Sequence, residues 1–264
     1  GLGPKGSRSN VKRETWNLKL ARYLPRQRTR TILTALGIGL GVGLVVALGG
    51  IADGFIAEFS AMGSQAGDLT VVEAKASDMS LSAIDEKVGR YIATMPEVEH
   101  LSGMLMGFMQ VQGSSYFIVF GLEPTSFAIR HFAITEGERL RSPRDMILGK
   151  VAAQNMKKRV GDTIKLMGSS YRIVGIYETG ISYEDGAGVV FLKEAQSLLK
   201  KPDQVSYYGI KLQDPGQAES VRRQVEARWP QVSVSRSTEF AEKSNDMQTT
   251  RTMVNALSFI SILV

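Results

Sequence analysis

The chain contains no cysteine. Disulfide staples, thiolate metal sites and cysteine nucleophiles are excluded with it. The compartment stays open, because a domain of this size also folds outside the cell without disulfides. Histidine is scarce as well. His100 and His131 are the only two, and neither has ligand-like residues near it in sequence, so surface or packing roles are expected rather than a zinc site. A Walker A loop is missing: Gly149-Lys150 could close one, but Arg144 stands where its first glycine belongs. ATP hydrolysis is therefore not expected of this chain, nor is a cofactor bound to it. No GxSxG elbow occurs. Glu184-Asp185-Gly186 offers two adjacent acids, but is read as a turn ahead of the strand GVVF.

Charge is missing from one stretch in particular. Residues 31–52 are 22 positions without an ionisable side chain, and six of them are glycine. As a helix they span about 33 Å, which matches a hydrocarbon core of about 30 Å. A cleaved export signal has an apolar core of only about 7–15 residues, so a retained transmembrane helix is the better reading. The flank orients it. Residues 1–30 carry nine basic residues against Glu14 alone, while the rest of the chain has 23 basic and 25 acidic residues. A nucleic-acid binder concentrates positive charge on its folded domain; here the excess sits beside the apolar run. The positive-inside rule then leaves the N-terminus in the cytoplasm and the residues after Asp53 outside.

Residues 1–11 are read as a disordered leader and 12–30 as an amphipathic elbow. Trp16, Leu20, Tyr23 and Leu24 share one helical face, and Pro25 breaks the helix before the span. Trp16, Arg22, Tyr23, Arg26, Arg28 and Arg30 form the expected membrane interface with lipid. Gly37, Gly41 and Gly39, Gly43 make two GxxxG pairs, which let a second helix approach closely. After Arg251 come 13 uncharged residues, TMVNALSFISILV. They are read as the start of a second span, so that 241–264 is a stalk entering the membrane.

The region between the spans contains an echo. DLTVVE reads as a strand, Ser82-x-x-Asp85 opens a helix carrying Ile84, Val88, Ile92 and Met95, and Pro96 ends it before the strand PEVEHLS. Later YYGIKL reads as a strand and Asp214-Pro215 opens a helix carrying Ala218, Val221, Val225 and Trp229. Pro230 ends that helix before PQVSVS. Two βαβ-like halves of this kind would bury both helices on one sheet, an α+β domain. MLMGFMQVQGSSYFIVFG reads as a hairpin completing the first half. Met104, Met106 and Met109 within it are read first as core, with an adaptable apolar substrate surface as the functional alternative. Residues 122–199 then form an insertion of short strands, glycine turns and helical pieces.

Taken in order, ARYLPRQRTRTILTALGIGLGVG running into GGIADGF, then GLEP, then GERL…MILGKVAAQNM…VGDTIKL…YRIVGIYETG…VVFLKEAQSLL resemble the permease subunits of the MacB/LolC–LolE/FtsX superfamily of ABC transporters. The resemblance covers residues 12–264. It implies an extracytoplasmic Porter-like subdomain of βαβ repeats at 53–121 and 200–240, with a β-rich Sabre-like subdomain inserted at 122–199, between transmembrane helices. It implies a four-helix permease that pairs with a second permease copy and binds ABC ATPase subunits, which carry the ATP and magnesium. It also implies mechanotransmission, in which ATP-driven motion reaches the outer domain, and an extracytoplasmic adaptor or substrate carrier as a further partner. Only 30 residues precede the span, so the ATPase is expected on a separate chain. A multi-pass protein of the cytoplasmic membrane follows. The coarse topology also suits an extracytoplasmic sensor of a signalling receptor, or less well an anchored enzyme. If the glycines pack a neighbouring helix, Gly39→Leu with Gly43→Leu should lower the yield of assembled complex in membranes several-fold; unchanged yield and activity would make the glycines incidental.

Overall fold

The computed structural model describes residues 28–44, 46–51, 54, 67–76, 80–111, 114–237 and 239. The chain divides into two units. One comprises residues 1–52 and 251–264, the other 53–250. In the first, helix α1 spans Arg28–Ile51. The elbow with Trp16, Arg22, Tyr23 and Arg26, and the second expected span, lie outside the described residues.

The second unit is a mixed α/β domain built on a ten-stranded sheet, as the α+β pattern leads one to expect. Four strands make its frame: β1 (Leu69–Glu73), β3 (Val98–Val111), β11 (Tyr207–Leu212) and β12 (Val232–Arg236). They lie side by side in the order β12-β1-β11-β3, and every neighbouring pair is antiparallel. The two repeats therefore interleave. β11 sits between β1 and β3 of the first repeat, and β1 sits between β11 and β12 of the second, which is a split βαβ arrangement. The crossover helices α2 (Glu86–Ile92) and α6 (Ala218–Arg228) bury Val88, Ile92, Ala218, Val221 and Val225 in one cluster with Leu69, Val71, Ile210 and Val234.

Local chemistry sets the helix ends. Asp214 accepts a hydrogen bond from Gly216 N at 2.8 Å, and Pro215 starts a short 3-10 turn (Pro215–Gln217) that runs into α6. The first helix begins later than its sequence pattern suggests. Asp85, rather than Ser82, caps α2 by accepting from Lys87 N at 2.7 Å. The preceding Ile84–Asp85 is a two-residue strand, β2, paired with β10 (Gln204–Val205). The Ser82 hydroxyl instead accepts from Glu73 N at 3.1 Å, and the Glu73 carboxylate accepts from Ala83 N at 3.0 Å, which ties this loop to the end of β1.

The sheet continues beyond the frame without a break. β4 (Ser114–Leu122) forms a hairpin with β3 and runs parallel to β9 (Ala187–Phe191). Next come β6 (Asp145–Gly149), β8 (Ser169–Glu178) and the edge strand β5 (Ala133–Gly137), with β7 (Thr163–Leu166) on the same side of β8 as β5. Three helices accompany them: α3 (Lys150–Met156) between β6 and β7, the single turn α4 (Ser182–Asp185) between β8 and β9, and α5 (Leu192–Leu198) after β9. Both faces are covered. Leu105, Val119, Met146, Leu148 and Val190 point into one apolar cluster, while their neighbours Met104, Met106, Phe120, Ile147 and Val189 point into another. Burial on both sides explains why these strands read as apolar runs rather than as clean alternation.

α5 lies close against β4. A Cβ on Gly121 would collide with the Ala195 methyl and press on Leu192. We therefore expect Gly121→Val to destabilise the domain by about 1–3 kcal/mol or more, read as a lowered midpoint in chemical denaturation, while a substitution at the open Gly161→Asn, where φ is +96° but no atom lies within 4 Å, costs less.

Candidate functional site: the membrane helix and the two-sided sheet

The residues with functional candidacy fall into three places. The first is α1. Ile32, Leu33, Leu36, Ile38, Leu40, Leu44 and Val46 are each more than half exposed, and at about 100° per residue Ile38 falls on the side opposite Leu36 and Leu40, so the apolar surface is not confined to one face. A water-soluble helix keeps such side chains on one face; one apolar all round suits a bilayer or the interior of a helix bundle. The helix is about 36 Å long at 1.5 Å per residue over its 24 residues. The Thr34 hydroxyl donates to the Arg30 carbonyl at 2.9 Å. Arg28 and Arg30 stand in its first turn. A Cβ built at Gly37, Gly39, Gly41 or Gly43 meets no atom of the described residues within 4 Å.

The second place is the hairpin of β3 and β4. Met104 and Met106 are 4% and 2% exposed and belong to the apolar cluster of one sheet face. The Tyr207 hydroxyl lies 3.1 Å from Met104 Sδ and the Tyr183 hydroxyl 3.4 Å from Met106 Sδ. The alternative reading of these two as a substrate surface is corrected accordingly: strand alternation turns them inward, under the side chains of β11 and α4. Met109 is half-buried on the opposite face. Among the described residues of this hairpin, Phe108 and Tyr116 are the exposed large apolar side chains, and their rings stand 5.4 Å apart.

The third place was not legible in the sequence. Glu184 and Asp185 are 3% and 5% exposed, and His131 Nε2 lies 2.6 Å from Glu184 Oε2. His131 closes a 3-10 turn (Phe127–His131) that covers the Met104 face. Asp185 has a different task. It accepts from Thr179 N at 2.7 Å, Thr179 Oγ1 at 3.0 Å and Gly180 N at 3.3 Å, which shapes the turn before α4. Tyr177, fully buried below, donates to the carbonyls of Glu184 and Ala187. The turn expected at 184–186 is thus one helical turn that sinks two carboxylates. A separation of 53 residues hides the His131–Glu184 pair from any reading of local motifs. Removing one partner would leave a buried polar group of the other without its hydrogen bond, which typically costs about 1–3 kcal/mol. The pair clamps the 3-10 turn to α4. Among the described residues, no set of three or more His, Asp or Glu side chains gathers as metal ligands would.

An apolar helix of membrane-spanning length is thus followed in the chain by a split-βαβ domain with an inserted β-rich half. The chain belongs to the MacB-like periplasmic core domain family, whose model matches residues 31–228. This is the outer domain of MacB/FtsX-type ABC transporter permeases. The fold is similar to the extracellular domain of the noncanonic ABC-type transporter YknZ from Gram-positive bacteria, with a TM-score of 0.52 and 10% identity, covering 64% of this chain and 100% of that one. It is also similar to the periplasmic region of MacB from Actinobacillus actinomycetemcomitans, with a TM-score of 0.53 and 10% identity, covering 67% and 91%. No curated protein sequence matches the chain.

Buried hydroxyls give this domain a directional pH response. Burial, reinforced by the Glu184 and Asp185 charges, pushes the Tyr177 hydroxyl well above its ordinary value, and burial with the Glu184 charge raises Tyr207. The folded state therefore favours the protonated phenols. Their contribution is complete below the unfolded value of about 10 and is lost as pH rises beyond it. Thermal melts should show stability falling above about pH 10, with a smaller fall in Tyr207→Phe; an alkaline loss identical in that variant would contradict the assignment.

Proposed function

We propose that the chain is the permease subunit of an ATP-driven transporter and works by mechanotransmission. It passes motion generated by an ATPase subunit in the cytoplasm to the outer domain, which handles substrate on the far side of the membrane. The observation that carries this reading is the single sheet. A domain that is to move as a body needs its parts joined by something stiffer than a side-chain interface, and backbone ladders from β12 to β5 are that joint. The family membership and the basic-flanked α1 support it.

In this reading ATP and magnesium belong to a separate ATPase chain. The permease pairs with a second copy, identical or related, through helices that include α1 and its GxxxG pairs. An extracytoplasmic adaptor or carrier completes the assembly. The N-terminus is cytoplasmic, and the protein is a multi-pass component of the cytoplasmic membrane. Lipoprotein, lipid, peptide and drug are all compatible cargoes. Residues 53–121 with 200–240 form a Porter-like part and 122–199 a Sabre-like part.

Full-length protein should co-purify with a separate ATPase, and deleting residues 66–240 should change ATPase turnover at least several-fold. Turnover indifferent to that deletion would contradict mechanotransmission. A kinase or chemoreceptor output domain following residue 264 would favour the sensor reading instead.

A further inference from the structure

Charge in the outer domain is unevenly placed. Residues 53–250 contain 22 basic and 25 acidic residues, yet the segment 150–172 alone holds six of the basic ones and only Asp162 of the acidic. The remainder, 16 against 24, is acidic. Part of this local excess is focused. A groove of about 570 Å³ runs between the edge strand β5 and the C-terminal turn of α3. Lys157, Lys158 and Arg159 line one wall, and Thr135 and Glu136 of β5 line the other. Lys150 at its end is neutralised by Glu178 at 2.8 Å. The other three cations make no ion pair with a described residue, and Asp162 is engaged by Arg159 N at 2.9 Å. Lys157 holds φ at +52°, a left-handed conformation that glycine or asparagine would adopt more readily. The backbone there does not ask for lysine. Helix C-termini attract cations by their dipole, but that effect is satisfied by one charge and does not require three in succession.

β5 is the last strand on its side of the sheet, and four of its five residues are exposed. A bulge between Ile134 and Glu136 interrupts its ladder with β8. With Lys150 and Glu178 paired, three cations face the one remaining carboxylate of the lining, Glu136, and this net positive charge favours an extended chain that carries negative charge: backbone groups meet the strand and carboxylates meet the cationic wall. We propose that the groove between β5 and α3 binds an extended acidic peptide segment of a partner protein. Lys165 and Arg172 do not share in it. They alternate with Ile164, Leu166, Tyr171 and Ile173, which point into the cluster on the groove's side of the sheet, and so lie on the opposite face. The proposal concerns the domain's own surface and does not depend on coupling to an ATPase.

The test uses the full chain in phosphatidylcholine nanodiscs with a ten-residue poly-glutamate carrying a fluorophore and a photo-crosslinker. Crosslinks are expected in 133–137 and 150–159. Lys157→Glu with Lys158→Glu and Arg159→Glu should weaken the anisotropy-measured affinity at least tenfold, at an unchanged melting temperature, while Lys165→Glu with Arg172→Glu changes it less than twofold. Raising salt from 0.05 to 0.5 M should weaken binding several-fold. Crosslinks confined to the basic leader, or equal affinity in the triple variant, would overturn the proposal. Full competition by millimolar inorganic phosphate would assign the groove to small anions and overturn it too. Loss of phosphatidylglycerol-vesicle attachment in the triple variant, with peptide binding intact, would assign it to lipid.

Discussion

Everything in the outer domain hangs on one strand. β3 is 14 residues long and belongs to two pairings in succession. Up to Met104 it is bonded to β11 of the split βαβ frame; from Met104 onward it is bonded to β4, which leads into the insertion. Met104 takes part in both, opposite Tyr207 and opposite Leu122. The Ser206 hydroxyl completes the handover by accepting from Met106 N at 3.0 Å where β11's ladder ends. The two halves thus share a backbone ladder, with apolar packing on both faces of it. A ladder resists bending far better than a polar interface between separate domains would, since interfaces of that sort let domains move relative to one another.

This constraint gives the polar features their sense. The buried His131–Glu184 pair and the Asp185-anchored turn hold α4 and the 3-10 turn over the Met104 face, and they seal the insertion where it meets the frame. They are better understood as fasteners than as reactive groups. At the opposite sheet edge, Glu226 of α6 accepts from Val234 N at 2.9 Å, so an outward N–H of β12 is covered by the domain's own side chain. The β5 edge has no comparable cover among the described residues and lies beside cations instead, which is why the two edges invite different readings.

Much of the frame was legible in the sequence for definite reasons. Asp214-Pro215 and the two helix-ending prolines punctuate the repeats, and the buried faces keep helical spacing. Interleaving was not legible, because nothing in either repeat says which strand its own second strand will lie beside. Ser82 looked like a cap because it begins an S-x-x-D pattern, but pairing of Ile84–Asp85 with β10 depends on residues some 120 positions away. The methionines of β3 were ambiguous, since a strand buried on both faces loses the alternation that tells inside from outside. His131 and Glu184 meet only through tertiary structure. The span was the clearest element: its length and its uncharged run need no tertiary context.

The central claim is that the outer domain moves as one body because β3 spans its two halves. Hydrogen–deuterium exchange on the transporter reconstituted with its ATPase, with and without nucleotide, tests it most directly. The account predicts that amides of residues 103–106 and 207–210 stay equally protected in both states while changes appear outside the sheet. Nucleotide-dependent exchange concentrated at residues 103–106 would show that the sheet hinges at the handover, and would contradict it.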